Sequence, residues 1–379
     1  MSITGRSLCL SLLAICADGA FCDVVIERED SHQASFQLVA ISDPLDRPWS
    51  LAFLPDGAPI VSEWPGRLRI IREGRLSKPV KGVPAVLEHD GRTGGLLGIA
   101  LDPVFERNRR IYLCYLHGTF DSNVSRIARA TLSEHKLHDL EVIFEGNDRS
   151  NETAHSGCRL TFERDGTLLA TFGDRRHLPD EAQHLATSTG TIARLHDDGR
   201  APRNNPFIDH PNAMAQIWAY GVRNVQGIAR HPGTGDYWFS EHGPLGGDEL
   251  NVLRRGANYG WPEATYGIDY DGSVITKHTE LEGMAGPVCY WRPSTAPSGL
   301  AFYTGKHFPQ WRGDLFMGSL AGRRLIRMEL DGERVLFQES LLAGFDQRIR
   351  DVSMGPGGYL YLLADGKDQP LLRLEPAAP

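Results

Sequence analysis

His155 and Asp174 stand at the two ends of HSGCRLTFERDGTLLATFGD, a stretch that reads as a strand, a D-G turn and a returning strand. Both ends then open on one face, where an imidazole that titrates near neutrality and is held by a carboxylate can act as a general base. The competing reading is a surface histidine and a turn aspartate, since both types are common in loops. In YGVRNVQGIARHP, Arg223, Asn224 and Gln226 follow the apolar run IWAY. Their planar hydrogen-bonding heads suit an anionic or carbonyl-bearing ligand, unless they only brace a loop between units.

The segment SEHGPLGGDELNVLRRGANYGWP, residues 240–262, offers harder ligands. Gly243-Pro244 and Gly246-Gly247 force turns, and Asp248 and Glu249 place two carboxylates ahead of Tyr259. Calcium takes about six to eight oxygen ligands, backbone carbonyls among them, so such a loop suits a hard cation although it is not an EF-hand. The alternative is that the two carboxylates cap a turn. In QRIRDV, residues 347–352, Arg348 and Arg350 point to the same side of an extended strand and Asp351 to the other. Two guanidinium groups on one face call for an anion between them, from a ligand carboxylate or phosphate or from salt bridges to a neighbouring unit.

The elements that must position these groups are short strands. From residue 48 onward, runs such as SLAFL, RLRIIRE, RIYLCYL, DYWFSEH and YLYLLADG alternate with Gly, Asp and Pro clusters, and no long stretch keeps a helical period. A weak repeat recurs in LAFLPDGAPIVSE, LTFERDGTLLATFGD, IARHPGTGDYWFSEHG and VSMGPGGYLYLLADG, two apolar strands joined by a turn with glycine at the position that favours positive φ. Copies recur at roughly one or two times 55 residues, so about six four-stranded units fill the chain. This spacing predicts an all-β fold, a six-bladed β-propeller with four-stranded antiparallel blades, over a two-layer sandwich, which rarely needs six similar hairpins. The expected organisation is a single propeller over residues 23–379, with residues 1–22 a signal peptide or a disordered N-terminus.

Composition narrows the partners. The 379 residues carry a formal net charge of -8 and no Lys/Arg stripe, which excludes a phosphate-backbone tracker. SLCLSLLAICADGA, residues 7–20, follows Arg6 and has the length of a signal-peptide apolar region, too short to span a bilayer. A periplasmic or secreted location without a membrane span is therefore expected. The six cysteines contain no C-x-x-C pair, and those left after a removed leader are odd in number, so buried free thiols are expected rather than a fully paired framework.

Taken in order, PWSLAFLPDG, GGLLGIALDP, HSGCRL, YGVRNVQG, SEHGPLGGDEL, GANYGWP and QRIRDV resemble the soluble pyrroloquinoline quinone (PQQ) dependent sugar dehydrogenases. This is the glucose/sorbosone dehydrogenase family, and the likeness is strongest to its bacterial aldose sugar dehydrogenase branch, from about residue 48 to 374. The resemblance implies PQQ and calcium at the mouth of a propeller channel and oxidation of an aldose C1 hydroxyl to the lactone by hydride transfer to the quinone. It assigns His155 as base, Asp174 as the carboxylate orienting it, and Arg223 beside the reacting carbonyl. Asn224, Gln226, Arg348 and Arg350 match cofactor contacts, with Tyr270 and Trp291 in the cofactor or substrate wall. The carbonyls of Gly243 and Pro244 match ligands of the calcium that polarises the quinone, and Glu249 and Tyr259 match a second, structural calcium site. The implied partners are a sugar and an external electron acceptor, for a monomer or homodimer.

Three positions depart from the family pattern. Thr93 stands where Gln is usual, Thr191 follows Gly190 in place of Lys, and Ala321 replaces a cofactor-contacting Lys. Arg323 or Arg324 is the expected substitute for the last. Loss of these donors points to weaker cofactor binding. The alternatives are a propeller with structural calcium that binds sugar or protein without efficient PQQ chemistry, and a calcium-dependent lactonase, against which the Arg348/Arg350 pair speaks.

Overall fold

The computed structural model describes residues 22–89, 93–147 and 149–377; the leader expected at the N-terminus lies almost wholly outside them. Among the described residues the strands form one two-stranded ladder, Glu88–His89 with Thr93–Gly94, and six large antiparallel sheets. Their first strands are Pro48–Phe53, Leu96–Leu101, Leu160–Phe162, Val225–Arg230, Pro297–Phe302 and Ile349–Met354, which begin blades 1 to 6. Each first strand touches the first strand of the next sheet, and the sixth touches the first, so these strands ring a central axis. The chain is a six-bladed β-propeller, as its sequence predicts.

Blades 1 to 5 have four strands each. Blade 6 has five, because Ser35–Ala40 pairs with the last strand, Leu371–Pro376, and Val24–Asp30 pairs with Ser35–Ala40. The N-terminal segment thus closes the ring against the C-terminal one, which leaves no gap between first and last blade.

Period-two alternation along each strand gives two apolar faces per sheet, and these pack between blades. Ile60, Leu68 and Ile70 of blade 1 meet Leu113 and Tyr115 of blade 2, while Leu51 and Val61 meet Tyr361 and Leu363 of blade 6. Near the axis the strands approach too closely for side chains. A Cβ on Gly227 would lie 2.2 Å from the Ser298 carbonyl oxygen, and one on Gly299 2.2 Å from an Asp351 carboxylate oxygen.

The cysteines depart from expectation. Cys114, in the second strand of blade 2, Arg110–Thr119, forms a disulfide with Cys158, just ahead of blade 3, and Cys289 is free. The odd count argues only against a fully paired framework, which the free Cys289 respects, but Cys114 and Cys158 are not free thiols because neighbouring blades bring their sulfurs together across 44 residues of sequence. The bridge ties blade 2 to the segment carrying His155.

Candidate active site

Every first strand starts, and every second strand ends, on one face of the propeller, and the sequence places its chemistry at those ends. His155 precedes the first strand of blade 3 and Asp174 follows its second, Leu168–Phe172. The expected pair forms: His155 Nδ1 lies 2.7 Å from Asp174 Oδ1, with the carboxylate buried and the imidazole partly so. Asp174 Oδ1 also accepts the Arg176 backbone N–H at 2.8 Å, and Oδ2 accepts the Trp261 indole N–H at 3.0 Å.

These contacts set the proton inventory. Burial works to raise the Asp174 pKa, but the His155 hydrogen bond, the charges of His155 and Arg223 and the Arg176 amide together hold it below the usual carboxylate range. Burial lowers the His155 pKa more than Asp174 raises it, so the ring is neutral at neutral pH. With Nδ1–H donated to the anionic carboxylate, Nε2 carries the free lone pair. His155 itself has φ 50°, a left-handed conformation held by the turn around it.

Arg223 and Asn224 lead into the first strand of blade 4, and Gln226 lies within it. The Arg223 guanidinium donates to the carbonyls of Gly243 at 2.7 Å and His242 at 3.2 Å, and stacks 5.2 Å from the Trp261 ring centre. Tyr270 Oη lies 3.5 Å from it on the exposed side. Asn224 Oδ1 accepts from Gly157 and from Gln226, and Gln226 Oε1 accepts from Arg350 at 3.4 Å. Blades 3, 4 and 6 thereby meet. Beside blades 3 and 4 a cleft of about 840 Å³ opens, lined in part by Asp174, Arg223, Pro244, Trp261 and Tyr270.

The Arg348/Arg350 pair has a partner that sequence reading missed. Asp365, after the second strand of blade 6, Leu360–Ala364, accepts from Arg348 at 2.8 Å and from Arg350 at 3.1 Å. Burial acts to raise its pKa, and the two guanidinium groups bring it below the carboxylate range. The anion expected between the arginines therefore comes from the same blade. Arg350 still keeps a buried Nε without a partner among the described residues, as do Arg223 Nε and Trp64 Nε1. Trp64 lies under the Arg350 guanidinium, its ring centre 5.4 Å away.

Other expected residues fall differently. The Trp291 indole N–H bonds Gln338 at 3.1 Å, on the outermost strand of blade 5, so Trp291 leaves the proposed wall. Thr93 Oγ1 pairs with Thr153 Oγ1 at 2.6 Å, and Thr191 Oγ1 bonds the Ser188 carbonyl at 2.7 Å. Arg323 reaches Asp346, and Arg324 reaches Gly322 and Ser340. Both arginines expected to stand in for a lysine at Ala321 thus have protein acceptors.

Asp248 is a loop anchor, accepting from the N–H groups of Gly243, Thr295 and Ala296 and from Ser294 Oγ. Glu249 lies directly opposite Glu241 in the strand pair Tyr237–Glu241 and Asp248–Val252. Burial raises both carboxyl pKa values, with Glu249's charge adding to the effect on Glu241. The Asn251 amide nitrogen donates to Glu249 at 3.1 Å and weakly to Glu241, while its buried Oδ1 has no partner among the described residues. Tyr259 Oη donates to the Val252 carbonyl at 2.6 Å, so its phenol braces the strand. Among the described residues no group of three or more His, Cys, Asp or Glu is arranged to hold a metal.

His242, which the sequence reading passed over, bonds the Pro297 carbonyl through Nε2 at 2.7 Å. Burial, together with His155, Arg223 and Arg350 close by, pushes its pKa down to about 3. Trp261 was also missed, although it sits inside the GANYGWP motif.

The sequence profile of the Glucose / Sorbosone dehydrogenase family matches residues 45–373. The chain belongs to that family. It is 41% identical over 350 residues to the aldose sugar dehydrogenase YliI of Escherichia coli, covering 90% of this chain and 94% of that one. The crystal structure of the soluble aldose sugar dehydrogenase from E. coli, in the apo-form, superposes with a TM-score of 0.87 at 39% identity, covering 90% of this chain and all of that one. The PQQ-bound aldose sugar dehydrogenase of Streptomyces coelicolor superposes with a TM-score of 0.75 at 29% identity, over 93% and 98% of the two chains. No helix among the described residues is long and apolar enough to cross a membrane.

Proposed function

We propose that this member of the family is a PQQ-dependent oxidoreductase that oxidises the C1 hydroxyl of aldose sugars to the lactone. The observation that carries the reading is the neutral His155 locked by Asp174 beside Arg223 and the cleft. His155 Nε2 takes the hydroxyl proton, Asp174 stabilises the resulting imidazolium, and Trp261 and the Arg176 amide keep the carboxylate aimed at the ring. PQQ, polarised by calcium, supplies the two-electron acceptor when bound.

The residues present fit that cofactor. Arg223 Nε, Arg350 Nε and Trp64 Nε1 are buried donors without acceptors among the described residues, and a tricarboxylated quinone is rich in acceptors. Arg223, Asn224, Gln226 and Arg350 would hold it, with Arg348 acting through Asp365 and Tyr270 bordering the open side. For calcium, the Gly243 and Pro244 carbonyls would serve at the quinone, the first sharing its oxygen with Arg223. Facing carboxylates destabilise a strand pair unless protonated or bridged by a cation, so Glu241, Glu249 and Asn251 Oδ1 suit a second, structural calcium. Tyr259 would brace that site.

Thr93, Thr191 and Ala321 contribute no donor toward the quinone, so binding weaker than in relatives with Gln and Lys there is the expected consequence. A disulfide beside the proposed base favours an oxidising compartment, in keeping with a periplasmic or secreted enzyme. The test is to purify the protein without PQQ, add PQQ and calcium, and follow dye reduction with glucose, other aldoses and disaccharides. Sugar-dependent reduction is expected. No reduction with any sugar, together with no PQQ binding, overturns the reading.

A further inference from the structure

Beneath the site, on the propeller axis, lies a charged side chain that the reaction does not use. Arg159 opens the innermost strand region of blade 3 and is 6% exposed. Its three guanidinium nitrogens go to three different places. Nε donates to the Gln226 carbonyl at 2.6 Å, Nη1 to Asp351 Oδ1 at 2.8 Å, and Nη2 to the Arg350 carbonyl at 3.0 Å. The guanidinium carbon stacks 4.1 Å from the ring centre of Trp49 in blade 1. Asp351 Oδ2 accepts the Leu51 N–H of blade 1 at 3.0 Å, and its other oxygen lies where a side chain on Gly299 of blade 5 would be.

One buried ion pair therefore touches blades 1, 3, 4, 5 and 6. Two of its three fastenings hold the backbone of Gln226 and Arg350, whose side chains meet each other and lead to the proposed quinone contacts. A buried pair of this kind is a weak source of net stability, because desolvation offsets the attraction. Its geometric effect is stronger: a rigid planar fork holds three acceptors in fixed directions from three separate nitrogens, whereas the three donors of a lysine ammonium share one rotatable nitrogen and cannot reach all three places.

We propose that Arg159, with Asp351, is a positioning residue that sets the places of Gln226 and Arg350 and so the quinone affinity of the site. The inference rests on the PQQ reading for its ligand, but the placement of the two side chains stands apart from it.

Arg159→Lys keeps the charge opposite Asp351 and so keeps the fold, yet it loses the fork. The double variant Arg159→Met/Asp351→Leu removes both charges together and leaves no buried ion uncompensated. PQQ binding is measured by calorimetry on wild type and both variants, with melting temperature, sugar KM and kcat alongside, and crystal structures are determined without ligand. Because displacing Gln226 and Arg350 weakens charge-assisted hydrogen bonds to the quinone's carboxylates, the PQQ Kd of each variant is expected to rise at least about tenfold. Sugar KM at saturating PQQ should stay within about twofold of wild type, since Arg159 acts on the quinone contacts and not on His155. Gln226 and Arg350 should shift in the crystal structures. An unchanged Kd with both side chains in place overturns the positioning role and leaves the functional reading standing. Wild type that binds no PQQ overturns the functional reading instead, and the crystal structures alone then decide the positioning role: unmoved side chains overturn it and moved ones support it.

Discussion

Replacing Asp174 by Asn changes one atom and tests the proposed base most sharply. The carboxylate accepts three N–H groups, from His155 Nδ1 at 2.7 Å, Arg176 at 2.8 Å and Trp261 at 3.0 Å, and it is 1% exposed. Asparagine has only one acceptor oxygen. If that oxygen faces His155 and Arg176, the amide NH2 meets the Trp261 N–H, and a bond to a charged acceptor worth about 1.5–3 kcal/mol is lost. If the amide turns over, its NH2 donates to His155 Nδ1, the ring proton moves to Nε2, and no lone pair faces the substrate. Loss of a positioned base costs about 10²–10⁴-fold in kcat, or about 2.7–5.4 kcal/mol in barrier. The pH profile gives an independent sign. Neutral His155 is the active form, and burial puts its pKa below the usual 6.5, so wild-type activity is present above that depressed pKa and lost as pH falls through it. Asp174 opposes the depression, so Asp174→Asn moves the acid limb to still lower pH while the plateau drops. Dye reduction at saturating PQQ and sugar, measured between pH 4 and 8, reads both, and calorimetry should show PQQ affinity within about threefold of wild type. A plateau within about threefold of wild type, or an acid limb displaced upward, would refute the assigned roles.

Three other outcomes follow from the same contacts. His155→Ala should keep PQQ bound while kcat falls at least about 100-fold, and near-normal turnover would remove His155 from the chemistry. Adding calcium to metal-free protein should raise the melting temperature, by about 2.7 kcal/mol of stability at a hundredfold excess over Kd, and Glu249→Gln should abolish that rise; a calcium response that survives the substitution would place the ion elsewhere. Cys114→Ala/Cys158→Ala should lower the urea midpoint, since releasing a 44-residue separation costs about 4 kcal/mol by the chain-entropy relation. An unchanged midpoint would show that packing between blades 2 and 3 suffices without the bridge.

The fold was legible where the innermost hairpins are short. The four repeat copies seen in the sequence are the first two strands of blades 1, 3, 4 and 6, each closed by a tight glycine turn. In blades 2 and 5 the same hairpin is interrupted by the helix Phe105–Asn108 and the 3-10 turn Pro309–Trp311, which lengthen the connection and hide the repeat. Of the two N-terminal strands, Ser35–Ala40 pairs with the C-terminal strand, which leaves no local pattern, and Val24–Asp30 pairs only with Ser35–Ala40 on the outer edge of that sheet. The site divides along the same line. His155 and Asp174 bracket one hairpin, so a local reading sufficed to bring them together. Trp261, Asp365 and Arg159 act across blades or across a hairpin whose far end was not weighed, and nothing in their immediate neighbours announces the partner. Arg348 and Arg350 on one face of a strand require an anion that their local sequence does not identify, and the carboxylate comes from Asp365 of the same sheet and not from another blade. What remains for a ligand is the set of buried donors left over after the protein's own acceptors are used, and that remainder exists only once the ring has closed.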